Sequence, residues 1–462
     1  MSYSIENLIG KHVHFVGVGG AGMSGLARIM ISHGVRVSGS DEKDSQVLSG
    51  LRAIGAHVTV GHKADNVDGA DFLVFSTAIS QKNPEIDKAR ELNIPQLSRA
   101  QALAILMSQS RSVAVAGTHG KTTTTSMLTV AIQSCGEDPS FAIGGTLSTS
   151  GSNAHRGTGD FFIAEADESD GSFIEYHPFG AIITNVEHDH VDYFKTPAEV
   201  FVAFDTFITT ISRDGFLVYC ADDNGAASVA KDVSGLATYS YGTHENSDLR
   251  IDQILLEPGG SHARALWKGK KIGTINLSVP GHHNLLNAAA ALAAGLALGL
   301  PALSLLEGLA TFRGTGRRFE LKGQVHGIRV IDDYGHHPTE ISATLETAKR
   351  YATDGRLLVI FQPHRYSRTQ AFIPSFATAL DIADKIWVLE VYGASEQPIA
   401  GVSAHSIVNL MNKGTFEPNF LAATDAVVAF AQPGDVIITL GAGDVSSLAP
   451  IIVDSLIKRF PE

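Results

Sequence analysis

The stretch S-V-A-V-A-G-T-H-G-K-T-T-T-T, Ser112 to Thr125, decides how the chain folds. A short apolar run leads into a polar loop with two glycines, and a longer threonine-rich run follows, so the stretch reads as strand, tight loop and helix. At such a junction the backbone N–H groups and the helix dipole converge on an anion. Gly117, Thr118, His119, Gly120, Lys121, Thr122 and Thr123 are therefore read as a phosphate cradle, with Lys121 as a point charge and the Thr122 hydroxyl as a magnesium ligand. The full G-x-x-x-x-G-K-[ST] form is not met, because Val115 stands where its first glycine belongs. Standing alone, the shorter string is also compatible with a purely structural turn.

Before this stretch, the apolar runs HVHFVGV (from His12), VRVSGSD and FLVFSTAI alternate with amphipathic stretches, Ser24 to His33 and Pro84 to Leu92. That rhythm indicates βαβ units and a parallel sheet. The first run feeds a second glycine loop, G-V-G-G-A-G-M-S-G, which holds G-x-G-x-x-G at Gly17, Gly19 and Gly22, and Asp41 closes the next strand. This is the layout of a dinucleotide fold in which an acid binds ribose, so an NAD-dependent oxidoreductase is one reading. The glycines admit any diphosphate, however, including that of a nucleotide sugar.

After Thr125 come FFIAEADESD, GAIITNVEHDH and an alanine-rich helix at Asn284 to Leu298. Beyond GTGRRFE (Gly314 to Glu320), the runs RVIDDY, RLLVIFQPH, KIWVLEV and DVIITLGAG repeat the opening rhythm. The expected fold class is α/β with three domains. Residues 1–107 form a Rossmann-like domain, 108–314 a central P-loop domain with a mainly parallel sheet, and 315–462 a second Rossmann-like domain. The tract Gly144 to Gly159 reads as an exposed loop.

The acids of E-A-D-E-S-D (Glu165 to Asp170) and N-V-E-H-D-H-V-D (Asn185 to Asp192) are either solvated loops or ligands of a hard cation. Glu165 and His190 are the candidate magnesium ligands, because one or two carboxylates beside substrate phosphates suffice. A zinc reading of His188 and His190 lacks cysteine partners and an H-E-x-x-H helix. In D-D-Y-G-H-H-P (Asp332 to Pro338) and Q-P-H-R-Y-S-R (Gln362 to Arg368), each after an apolar run, Arg365 and Arg368 could grip a carboxylate by paired hydrogen bonds. Arginines at this spacing are also common on plain surfaces, and His336 and His337 also suit a turn.

Lys plus Arg total 35 against 48 Asp plus Glu, and 35 − 48 gives a net charge of −13. That excess argues against a nucleic-acid partner. The two cysteines, Cys135 and Cys220, lie far apart and suggest neither a disulfide framework nor a cysteine zinc site. With no leader-like start and no long apolar run, the expectation is a cytoplasmic protein that does not insert into membranes. Oligomeric state is not legible in the sequence.

Taken together and in order, GVGGAGMSGLA, GTHGKTTTT, EADESDGSF, TNVEHDHVDYF, GHHNLLNAAAA, GTGRRFE, DDYGHHPTE and QPHRYSRT resemble the Mur ligases, and among them the alanine-adding branch. The resemblance covers nearly the whole chain. It implies an ATP-dependent ligase of peptidoglycan synthesis that joins the carboxylate of UDP-N-acetylmuramate to L-alanine through an acyl phosphate, releasing ADP and phosphate. It implies ATP with Mg²⁺, or Mn²⁺ in its place. Gly19, Gly20, Ala21 and Gly22 would face the UDP diphosphate, with Asp41 beside them. Lys121, Thr122, Thr123, Asn284, Asn287, Arg318 and Asp333 would serve ATP, and Thr122, Glu165 and His190 the metal. Tyr334, His336, Arg365 and Arg368 would form the amino-acid pocket. Lys121, His190, Arg318 and Asp333 would be the catalytic set. Several relatives carry a carbamylated lysine after the DHxD segment, a role not assigned to Lys195. A hinge is expected near Thr311 to Phe319. The rival readings are a peptide-recycling ligase of the same superfamily, the nicotinamide oxidoreductase, and a nucleotide-binding module without turnover.

Overall fold

The computed structural model describes residues 3–461 apart from 78, 81 and 149, and the Ala21 side chain also lies outside what is described. The chain builds three sheets in succession. The first is wholly parallel, in the order His57–Val60, Arg36–Asp41, His12–Val16, Phe72–Phe75, Gln96–Ser98. Strand order reverses beside His12–Val16, so the glycine loop that follows it opens into the crevice where such sheets bind ligands. The alternation read from the sequence is observed here, with helices at Ala21–Ser32 and Pro84–Glu91.

The second sheet has ten strands, and six of its neighbouring pairs are parallel. Its centre is Arg111–Ala116, flanked by Phe161–Glu165 on one side and Gly180–Ile183 on the other. All three run the same way, so the phosphate loop, the EADESD loop and the NVEHDH loop emerge side by side at their carboxyl ends. Adjacency in a parallel sheet gathers loops 66 to 69 residues apart in sequence. The helices Lys121–Gln133 and His282–Ala297 pack against each other on this sheet, their inward faces filled by small residues such as Ala288, Ala291 and Thr125.

Two features differ from the sequence expectations. The tract Gly144 to Gly159 is not simply an exposed loop: Ser140–Leu147 and Ser152–His155 pair as an antiparallel hairpin. Leu147 and Ala154 are buried, and Ala154 sits against Gly25 of the N-terminal domain's first helix. Small polar residues suit a surface loop locally, but contact with a neighbouring domain makes strands of them. The sheet is also extended by the parallel strand Ala237–Gly242 and by an antiparallel meander of Leu249–Glu257, Gly260–Trp267 and Lys270–Leu277, which the motif reading passed over.

The third sheet runs Glu320–Val325, Ile328–Asp333, Val436–Leu440, Leu357–Phe361, Lys385–Val388, Gly414–Phe416, parallel except for its first strand. The ends of Ile328–Asp333 and Leu357–Phe361 carry DDYGHHP and QPHRYSR toward the central sheet. No helix among the described residues is long and apolar enough to cross a membrane.

Candidate active site

The phosphate loop is shaped by contacts that only glycine permits. Gly117 has φ +132°, and a Cβ there would fall 2.0 Å from Thr184 Oγ1. Gly120 has φ +81°, and a Cβ would lie 2.6 Å from Asn287 Oδ1. The loop is then clamped by Asn185, which accepts the His119 N–H at 2.7 Å and donates to the His119 carbonyl at 3.0 Å. Asn185 was not singled out from the sequence. The signal was its position, directly after a strand that neighbours the loop's own.

Lys121 folds back onto its own loop, donating to the carbonyls of Gly117 at 2.7 Å and Thr118 at 3.1 Å, and it pairs with Glu168 at 2.8 Å. Burial opposes its charge, but Glu168, Asp167 and Glu165 outweigh burial and raise its pKa, so it stays cationic. Thr122 Oγ1 donates to Glu165 at 2.9 Å, and the other Glu165 oxygen takes the Gly144 N–H. Burial holds the Glu165 pKa up against the pull of Lys121.

Asp167, Glu168 and His190 bring donor atoms within 4.8 Å of one another beside this pair. The donor set around Lys121 is therefore carboxylates, a hydroxyl and one imidazole, an oxygen-rich set that fits a hard divalent cation such as Mg²⁺. Thr122 and Glu165 form one half of it and His190 the other. Asp167 and Glu168 were quoted within their motif but not assigned. His190 has φ +49° and donates its N–H to Asp189, a backbone conformation that turns its ring toward Glu168.

Three cavities meet here. The first is lined by His119, Gly120, Thr123, Asn284, Asn287, Arg318 and Asp333. The second is lined by Lys121, Thr122, Glu165, His190, Tyr334, His336, Arg365 and Arg368, and shares Gly120 and Arg318 with the first. The third is lined by Gly20, Gly22, Arg99 and Asn153, and shares Glu165, His190 and Arg365 with the second. Gly19 and Asp41 stand apart: the Asp41 carboxylate accepts the Gly19 N–H at 2.9 Å and so braces the loop from behind.

On the C-terminal side, Asp333 accepts the N–H groups of Phe319 and Gly335, each at 2.8 Å, and ties the linker to its own domain. Burial raises its pKa, with Arg318 opposing. The other end of the linker is fixed to the central domain by Thr315, whose hydroxyl meets Ser126 and whose backbone bridges Leu147. Arg318 pairs with Glu340 at 3.2 Å and lies over the Tyr334 ring. Desolvation of the largely covered His336 ring keeps it neutral, with its pKa pushed down to about 3. The two arginines are already engaged. Arg368 makes a fork with buried Asp189 at 2.8 and 3.2 Å, and Arg365 pairs with Asp192.

The Mur ligase family catalytic domain matches residues 12–111, the Mur ligase middle domain 115–295, and the Mur ligase glutamate ligase domain 317–443. The UDP-N-acetylmuramate–L-alanine ligase of Acidothermus cellulolyticus is 49% identical over 97% of this chain and 95% of its own length. This chain belongs to the Mur ligase family. The Mur ligase of the same name from Paenarthrobacter aurescens is 46% identical, covering 99% of this chain and 100% of its own. The crystal structure of a UDP-N-acetylmuramate–alanine ligase from Thermotoga maritima superposes with a TM-score of 0.82 at 30% identity, covering 97% and 100% of the two chains. A murein peptide ligase from Psychrobacter arcticus gives 0.72 at 25%, covering 96% and 98%. These likenesses favour the alanine-adding branch over the peptide-recycling and oxidoreductase readings.

Proposed function

We propose that this Mur ligase joins L-alanine to the carboxylate of UDP-N-acetylmuramate at the expense of ATP. The observation that carries the reading is the continuity of the three cavities, the first joined to the second through Gly120 and Arg318 and the second to the third through Glu165, His190 and Arg365. ATP would lie in the first with its phosphates on the loop, the UDP-sugar would enter from the third, and L-alanine would occupy the C-terminal side of the second.

A carboxylate is a poor acyl donor because oxide would have to leave. Its oxygen attacks the γ phosphorus of ATP, the phosphorus–oxygen bond to ADP breaks, and an acyl phosphate results. Both reactants are anions, so Lys121, the N-terminus of the Lys121–Gln133 helix and Arg318 must offset their repulsion. Mg²⁺, held by Thr122, Glu165 and His190, would supply further shielding of that charge. The neutral amine of alanine then attacks the acyl carbon and phosphate leaves, with no enzyme nucleophile. Holding the two partners in register can contribute ~7–11 kcal/mol. Arg365, Arg368, Tyr334 and neutral His336 would orient the amino acid, and docking of the C-terminal domain would exclude water that would hydrolyse the intermediate.

The test is phosphate release by the purified chain with each substrate omitted in turn. Release that needs ATP, UDP-N-acetylmuramate and L-alanine together is expected. Release that is indifferent to L-alanine, or that responds only to a preformed tripeptide, would overturn the reading.

A further inference from the structure

At the rim of the first cavity, where the central and C-terminal domains meet, three side chains converge, one of them His119 of the phosphate loop. His119 Nε2 lies 3.4 Å from Glu187 Oε2, and His337 Nδ1 lies 3.7 Å from the same oxygen. One donor atom from each residue falls within 4.8 Å of the other two. In a tetrahedral zinc site with bonds near 2.0–2.1 Å, neighbouring ligand atoms stand about 3.4 Å apart. The two distances to Glu187 already lie near that spacing.

Two features of the surroundings point the same way. His119 Nε2 is buried without a hydrogen-bond partner, while Nδ1 of that ring faces Glu340 Oε1 at 3.5 Å. A carboxylate behind a histidine that fixes the ring and leaves the far nitrogen for a metal is the usual outer support of such sites. Glu187 Oε2 is likewise held in place by the Thr339 hydroxyl at 2.8 Å. His337 Nδ1 accepts the Thr339 N–H at 3.4 Å, a long bond whose lone pair a metal would take over, and burial keeps this ring neutral, with a pKa pushed down to about 4. A neutral imidazole is a ready ligand; His119 is the reverse case, because burial is outweighed by Glu187 and Glu340, which raise its pKa to about 9, so a metal there must displace a proton.

We propose that His119, Glu187 and His337 form a binding site for a zinc-class divalent metal, which links the phosphate loop to the C-terminal domain. With two imidazoles and one carboxylate the site favours zinc or cobalt over magnesium, whereas the Asp167, Glu168 and His190 group is oxygen-rich and favours magnesium. A metal here pins His337, and with it the start of the Pro338–Tyr351 helix, to the mouth of the nucleotide cavity. It would hold the two domains together and slow nucleotide exchange.

The experiment is a Co²⁺ titration of the metal-stripped full chain in excess Mg²⁺, read by visible absorption, with Zn²⁺ stoichiometry from equilibrium dialysis. One equivalent with tetrahedral-type bands is expected. His337→Ala, His337→Gln and Glu187→Gln should each weaken binding at least tenfold, with circular dichroism reporting that each variant is folded. No stoichiometric binding in Mg²⁺ overturns the site. So does binding that survives all three substitutions, or that is lost instead in His190→Ala. Because the readout is metal binding, its failure leaves the ligation reading untouched, and the converse also holds.

Discussion

Lys121 shows how much one side chain can be asked to do. Its ammonium is buried against Glu168 and the carbonyls of its own loop, and the neighbouring acids keep it charged. Lys121→Ala would remove the positive group proposed to face the transferring phosphoryl. The alanine-dependent phosphate-release rate should fall by about 10²–10³-fold, in line with the ~2.7–4 kcal/mol attached to a lost oxyanion donor. Steady-state kinetics of the variant check this, and near-unchanged turnover would remove Lys121 from the phosphate assignment. At the same scale the G-T-H-G-K-T string announced Lys121 and Thr122, because their chemistry is local. Asn185 and Glu340 were not announced: each acts through a hydrogen bond or ion pair to a residue distant in sequence.

Among the elements, the N-terminal sheet carries a buried polar knot. Glu85, at the start of the Pro84–Glu91 helix, is fully buried and accepts hydrogen bonds from Ser40 at 2.6 Å and Asn66, with His62 at 3.2 Å and His14 at 3.6 Å. Burial pushes its pKa up, but the bonds from His14, Ser40 and Asn66 outweigh burial and bring it down to about 2, from 4.5. A carboxylate whose pKa is depressed on folding adds stability that is fully present above the unfolded value, near pH 4.5. That stability is lost as pH falls toward 2. The contribution is on the order of 3 kcal/mol at neutral pH. Glu85→Gln should therefore lower Tm clearly at pH 7 and much less near pH 2, as thermal melts of the two proteins at both pH values would report. A gap that stays constant with pH would contradict the ionised assignment. The helix itself was legible from its amphipathic pattern, and its N-cap Asn83 with Pro84 at the first position fits it. The hairpin within Ser140–His155 was not legible, because its buried residues pack on a helix of another domain.

For the whole molecule, the decisive contacts cross domain boundaries. Thr77 donates to Asp170, Thr339 to Glu187, and Arg368 to Asp189, the last pair only 3% exposed on each side. Removing one member of a buried ion pair leaves the other charged and unsatisfied, a penalty of roughly 3–5 kcal/mol. Asp189→Asn should therefore undock the C-terminal domain. Small-angle scattering of the unliganded variant should give a larger radius of gyration than the parent chain, and its KM for L-alanine should rise. An unchanged scattering profile would show that Asp189 and Arg368 do not govern docking. The linker from Phe312 to Phe319, anchored at Thr315 to one domain and at Phe319 to the other, is where the motion would be absorbed.

The sequence by itself determined the strands, the glycine loops at their ends and the residue types that such loops present. These follow from periodicity and from the few residues a sharp turn or a close approach admits. Because parallel strands expose their carboxyl ends on one edge, it also determined that Lys121, Glu165 and His190 come together. Tertiary structure alone decided which partner each charged group takes. Asp189 meets Arg368, Asp192 meets Arg365, and Glu187 meets both His119 and His337. Such pairings depend on the relative placement of whole domains, and buried charges settle on whichever opposite group that placement brings within reach.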